Sequence, residues 1–190
     1  EKSMRRSYII IGILVLLVIL AFSSFSGLYN NLVAQSQGID GQWAQVETQY
    51  QRRFDLIPNL VSSVKGGMAQ EQDVFIAIAE ARTRYAGART VDERAAAAGQ
   101  VESALGRLLV IMENYPQLRS IDTVIRLQDE LSGTENRIAV ERRRYNDLVR
   151  DYNTTVKQFP NNILAGTMGF RERNFFEAAT GAEVAPRVEF

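Results

Sequence analysis

No charged residue occurs between Arg6 and Asp40, and the first half of that stretch, from Tyr8 to Phe25, is almost continuously apolar. About 20 apolar residues suffice for a helix to cross the hydrocarbon core of a bilayer. The run therefore predicts a transmembrane helix over residues 8–28, with Tyr8 at one interface and Phe25 and Tyr29 at the other. Small-x-small triplets, Ala21-Phe22-Ser23 and Ser24-Phe25-Ser26, also fit a signal-peptide cleavage site. The apolar run is longer than the usual core of a signal, and this favours a retained anchor. Lys2, Arg5 and Arg6 precede the run, and the next basic residue is Arg52. The positive-inside rule then puts the N-terminus in the cytoplasm and the bulk of the chain outside. The expected location is the cytoplasmic membrane of a bacterium, crossed once.

The rest of the chain carries no electrostatic bias. There are 22 basic and 22 acidic residues; setting aside Lys2, Arg5, Arg6 and Glu1 leaves 19 against 21. Nucleic-acid binding requires a clustered basic footprint, which is missing here. Cys and His are both absent. Without them there is no thiol nucleophile, disulfide or haem ligand, no zinc site of the usual kinds, and none of the commonest general base. No acidic loop of calcium-binding pattern occurs. The expectation is no cofactor, no metal, no small-molecule substrate and no catalytic residue.

Seven-residue spacing of apolar side chains organises the chain beyond the span. Trp43, Tyr50, Ile57 and Val64 form one line, and Ile39, Val46, Arg53 and Leu60 another beside it. This predicts a helix from about 28 to 64, continuous with the span, kinked at Pro58 and ended by Gly66-Gly67. Residues 70–85 read as a second helix, with Phe75, Ile78, Ala79 and Tyr85 inward. Thr90-Val91-Asp92-Glu93 is a capping box that opens a third helix to about Asn114, its inner face being Ala98, Val101, Leu105, Leu108 and Met112. Pro116 suits the first turn of a fourth, along which Val124, Leu131, Ile138, Tyr145, Tyr152 and Phe159 keep one line until Pro160. The expected fold is all-α, an N-terminal transmembrane helix followed by a long antiparallel four-helix bundle. Residues 1–7 form the cytoplasmic N-terminus, 29–159 the bundle, and 160–190 a C-terminal segment that is partly membrane-proximal or disordered, with disorder expected beyond Thr180.

Antiparallel alternation returns the fourth helix to the bilayer. Ile163, Leu164, Met168, Phe170, Phe175 and Phe176, with Arg171 and Arg173 among them, then fit either a membrane contact or a cap on the open end of the bundle. Arg53 stands where Leu or Val would be expected, and a buried guanidinium needs a partner. Glu135 and Glu113 are the leading candidates, with Arg142 nearby on the fourth helix. Tyr145-Asn146 and Tyr152-Asn153 repeat one heptad apart, placing tyrosines in the core with asparagines poised for side-chain hydrogen bonds. Trp43 reads as core, and Arg142-Arg143-Arg144 as a solvated face.

The run Tyr50-Gln51-Arg52-Arg53-x-Asp55-Leu56-Ile57-Pro58-Asn59-Leu60-Val61 resembles the signature of the LemA family. So do Tyr29-Asn30-x-Leu32-Val33, Glu113-x-Tyr115-Pro116, Thr134-Glu135-Asn136-x-Ile138, Arg143-x-Tyr145-Asn146, Tyr152-Asn153 and Phe159-Pro160. The resemblance covers nearly the whole chain. It implies a membrane helix followed by a four-helix bundle, and no established reaction or cofactor. It adds Arg52, Asp55 and Asn59 to a structural polar motif with Arg53, Glu113, Glu135, Arg142, Tyr145, Asn146, Tyr152 and Asn153. The expected function is a non-enzymatic scaffold or adaptor in the cell envelope, whose partners are the lipid bilayer, other envelope membrane proteins or copies of itself. Lipid binding through the C-terminal apolar segment is a second reading, and a carboxylate-dependent hydrolase built around Glu135 a third.

Overall fold

The computed structural model describes residues 2–176, with side chains from Ile9 onward. The reading of the tail beyond Thr180 lies outside these residues. All regular structure among them is helical: α1 (Lys2–Lys65), α2 (Gln72–Gly87), α3 (Val91–Met112), α4 (Pro116–Arg119), α5 (Asp122–Lys157) and α6 (Asn161–Thr167). Every large apolar side chain from Ile9 to Phe22 is more than half exposed. At roughly 2 kcal/mol each, a dozen such side chains represent on the order of 20 kcal/mol of unfavourable hydration. An apolar helix of this length is suited to membrane anchoring. Helix α3 is also long and apolar enough by composition, but its stripe from Ala97 to Met112 is buried.

The chain divides into two compact units, with α1 and α5 each contributing to both. The first comprises residues 1–41 and 147–173. Its interior is Leu32 and Ile39 of α1, Val149, Tyr152 and Val156 of α5, and Ala165 of α6. Here α5 runs back along α1 towards the apolar stretch. Gln35 Nε2 donates to Thr155 Oγ1 at 3.3 Å, and Arg173 reaches Ser36 Oγ at 2.9 Å and Asp40 Oδ1 at 3.2 Å. Phe170 meets the Tyr29 ring edge-on at 5.7 Å between centroids.

Among the described residues the second unit comprises 42–146 and 174–176. Its core is built from the lines the heptads define. Val46, Tyr50, Ile57, Leu60 and Val64 of α1, Ala98, Val101, Leu105, Leu108 and Met112 of α3, and Val124, Leu131, Ile138 and Tyr145 of α5 are all buried. From α2 come Val74, Phe75, Ile78 and Ala81. Thr90 caps α3 as expected, its Oγ1 accepting from the Glu93 N–H while the Glu93 carboxylate accepts from the Thr90 N–H.

Helix α1 continues through Pro58 to Lys65, as the heptads predict, and at the proline the carbonyl of Phe54 loses its usual N–H partner. Three sequence expectations need correction. Ala79 is exposed and Ala81 takes the inward position on α2. The fourth helix does not start at Pro116: the chain makes the single turn of α4, breaks at Ser120–Ile121, and begins α5 at Asp122. Leu118 of this turn is buried against Gly67, where an added Cβ would lie 2.6 Å from Leu118 Cδ2 and would have to push that side chain aside. Finally, the heptad line of α5 ends at Tyr152. Phe159 lies beyond the helix and is 80% exposed.

A buried charged layer and a clasped C-terminal segment

The motif residues separate into three groups. Arg52, Asp55 and Asn59 are exposed on the outer face of α1. Arg53, one residue from Arg52, points the other way. Its side chain is 7% exposed, and Nη1 pairs with Glu135 Oε2 of α5 at 2.5 Å while approaching the Leu131 carbonyl at 3.4 Å. The Thr134 hydroxyl donates to the same carbonyl at 2.7 Å. Glu135 is the partner; Glu113 instead lines an open groove of about 540 Å³ beside the pair, together with Arg119, Gln128, Asp129 and Asn136.

A residue not singled out by the sequence reading completes this layer. Glu102 of α3 is half buried, and its Oε1 has no hydrogen-bond partner; Arg53 Nε is likewise buried without one. Burial, followed by the nearby Glu135 carboxylate, raises the Glu102 acid above the ordinary glutamate value, against the pull of Arg53, Arg142 and a hydrogen bond from Tyr50. Burial and the Glu102 charge likewise hold the Tyr50 hydroxyl in its neutral form far beyond its usual range. Burial raises Tyr85 to about 12. Glu102 was readable in principle: it lies four residues after Ala98 and three before Leu105, on the inner stripe of α3.

The layer holds one ion pair, one carboxyl that resists ionisation, and the hydroxyls of Tyr50 and Thr134. Among the described residues no three carboxylates converge on a common point. A guanidinium already neutralised by a carboxylate, next to a buried acid, is an arrangement that fixes helices relative to one another and can hold a proton.

The third group handles the C-terminal segment. In the second unit, the Asn146 amide grips the backbone of Phe176 at both ends: Nδ2 donates to its carbonyl at 3.0 Å, and Oδ1 accepts from its N–H at 2.8 Å. The Phe176 ring enters a pocket between Trp43 and Tyr50, at 5.8 and 6.3 Å between centroids, with the Arg142 guanidinium 4.2 Å over its face. Tyr145 packs edge-on against Trp43, its hydroxyl donating to the Asn174 carbonyl, and Asn174 donates to Asp92 at the start of α3. In the first unit Asn153 does to Arg173 what Asn146 does to Phe176, with both amide contacts at 2.9 Å. Tyr152 is buried beside it. The asparagines thus replace ladder hydrogen bonds for a segment that has no neighbouring strand. Arg142 belongs with this clasp rather than to a solvated face, while Arg143 and Arg144 are exposed as expected.

The candidate membrane residues also divide. Ile163 is 61% exposed, and Leu164, Met168 and Phe170 are half buried within the first unit. Phe176 is only 5% exposed and sits inside the second unit, so it is unavailable to lipid. Phe175, partly exposed next to it, belongs to the same clasped segment.

The LemA family model matches residues 42–190. The chain is 27% identical over 175 residues to magnetosome protein MamQ 2 of Paramagnetospirillum magneticum, the alignment covering 78% of this chain and 64% of that protein. Magnetosome protein MamQ 1 of the same organism gives the same figures. Magnetosome protein MamQ of Magnetospirillum gryphiswaldense is 26% identical over 207 residues, covering 93% of this chain and 76% of that protein. This chain therefore spans just under two thirds of the length of the two Paramagnetospirillum relatives. With most of its length matched by the family model, the chain belongs to the LemA family.

Proposed function

We propose that this protein is a non-enzymatic scaffold or adaptor of the bacterial cell envelope. Its N-terminal helix anchors it in the cytoplasmic membrane with the N-terminus inside, and a four-helix bundle outside presents its surface to other envelope proteins or to further copies. One observation carries this reading: the polar residues that break the apolar pattern are consumed internally. Arg53 is spent on Glu135, Asn146 on the backbone of Phe176, and Arg142 on its ring. What remains at the surface is helix, with large apolar side chains uncovered at Ile76, Val110, Ile125 and Val140. Isolated exposed apolar residues are ordinary, but helical surfaces without chemistry act by association or not at all. The Glu135 hydrolase reading loses support because that carboxylate is engaged with a guanidinium rather than free to activate water.

The test places a photo-crosslinking residue at Ile76, Val110 or Val140 in the full chain in native membranes. A defined adduct, with another protein or a second copy, that forms from some positions and not others supports the scaffold. Monomer alone from every position sinks it.

A further inference from the structure

We propose that the corner between α5 and α6, through Phe159 and Ile163, is a second membrane attachment lodged at the headgroup–acyl boundary of the leaflet from which α1 emerges. The inference rests on α1 being the anchor, and every contact it uses lies within the first unit.

Depth follows from helix geometry. Thr155 of α5 is level with Gln35 of α1, since their side chains are hydrogen-bonded. The two helices run in opposite directions here, so four further residues carry the chain about 6 Å towards the span, level with residue 31. The corner follows, and after α6 the chain touches Tyr29 through Phe170. Residues 9–28 at 1.5 Å each make about 30 Å, the thickness of a hydrocarbon core, so Tyr29 marks its edge. The corner accordingly lies within a few ångströms of that edge, the depth at which interfacial apolar side chains reside.

Exposure and charge agree with that depth. Phe159 is 80% and Ile163 61% exposed, and the apolar surface continues onto α1 through Tyr29 at 45% and Phe25 at 40%. Nothing charged lies between Lys157 and Arg171, and nothing charged lies on α1 between Arg6 and Asp40. Lys157 is neutralised by Glu172 at 2.8 Å. An uncharged, apolar corner beside the end of an apolar span fits the bilayer itself as its occupant. Because the contact is apolar, it should not need anionic lipid.

The chain has no cysteine, so single substitutions can be labelled in the intact protein. Phe159→Cys, Ile163→Cys, Leu16→Cys and Val110→Cys, each carrying an environment-sensitive fluorophore, are reconstituted in neutral phosphatidylcholine vesicles containing lipids with quenchers at shallow or deep positions. The expected result is at least two-fold quenching at 159 and 163 by the shallow quencher, deep quenching at 16, and none at 110. Deep quenching at 16 with water-like, unquenched emission at 159 and 163 overturns this inference and leaves the anchor standing. No quenching at 16 overturns both. Apolar emission at 159 and 163 that resists lipid quenchers and strengthens with protein density would assign the corner to a second copy, and also overturns it.

Discussion

Removing the carboxylate of the buried pair should cost far more than removing the guanidinium. Glu135→Ala strands Arg53, whose side chain is 7% exposed and whose Nε already lacks a partner. Breaking a fully buried pair from one side typically costs about 3–5 kcal/mol. Glu135 is 52% exposed, so water partly screens this pair, and Glu102 remains as a weaker counter-charge. Both effects reduce the expected loss to about 2–3 kcal/mol. Arg53→Met keeps an unbranched apolar stem in the same slot and returns Glu135 to solvent. Its cost should stay within about 1 kcal/mol of zero, in either direction.

Trp43 is the single tryptophan and lies in the aromatic cluster of the second unit, which makes its emission a native-state probe. In urea titrations of the full chain in detergent, a slope of about 2 kcal/mol per molar turns the Glu135→Ala loss into a midpoint shift of about 1–1.5 M. Arg53→Met should move the midpoint by less than about 0.5 M, and the double variant should resemble Arg53→Met alone. Equal losses from the two single variants would refute the reasoning, because the pair would then be a net source of stability rather than a compensated burial.

Three further outcomes rest on the same geometry. Glu102→Gln should raise the urea midpoint at about pH 7: burial raises the folded acid above its unfolded value, so the native state binds the proton more tightly and stability falls as pH rises through that window. The advantage should shrink as pH is lowered towards the ordinary glutamate value, where the native Glu102 carboxyl is protonated and side chain 102 is uncharged in both proteins; a gap that widens on acidification contradicts the assignment. Phe176→Ala should cost about 3 kcal/mol and change the Trp43 emission, as expected for a buried ring removed from a packed pocket. Asn146→Ala should cost about 1–2 kcal/mol by freeing both backbone groups of Phe176, and limited proteolysis near residue 176 should accelerate in step.

The core was legible because packing obeys a period. Ile39, Val46, Leu60, Leu105, Ile138 and Tyr145 recur at sevens, and all are buried. Arg53 was legible as an exception to that period, and its need for a carboxylate followed from solvation alone. Period reading failed where backbone rules take over. Phe159 is in phase with Tyr152 but precedes proline, which disfavours the helical conformation, and so it falls outside α5. The turn at α4 places Leu118 against Gly67, a contact fifty-one residues apart that no local pattern announces. Asn146 and Asn153 were visible as misplaced polar residues. Their partners were not, because an extended segment held by its backbone leaves little trace in side-chain type, and Phe176 resembled lipid-seeking phenylalanines equally well.

Heptad cores carry a hazard that the charged layer answers. The line Val124-Leu131-Ile138 presents similar apolar side chains at each step, so sliding α5 by seven residues past α1 would keep an apolar interface. The polar positions do not survive the slide. In one direction Arg142 replaces Glu135 opposite Arg53 and sets two guanidinium groups against each other; in the other, Gln128 arrives and leaves Arg53 without a counter-charge. The layer thus contributes to uniqueness of register even where it adds little to stability, in line with the small cost expected for Arg53→Met. Gln42 Nε2 contacts Glu141 Oε2 at 2.7 Å in the native register, which supplies a readout. A crosslink by a short bifunctional thiol reagent between Gln42→Cys and Glu141→Cys should form efficiently in both backgrounds. One between Gln42→Cys and Thr134→Cys, one heptad out of step, should form only when Arg53→Met is also present. Strict exclusion of the shifted crosslink in that background would mean that shape alone fixes the register, and the buried charge would need another reason to be there.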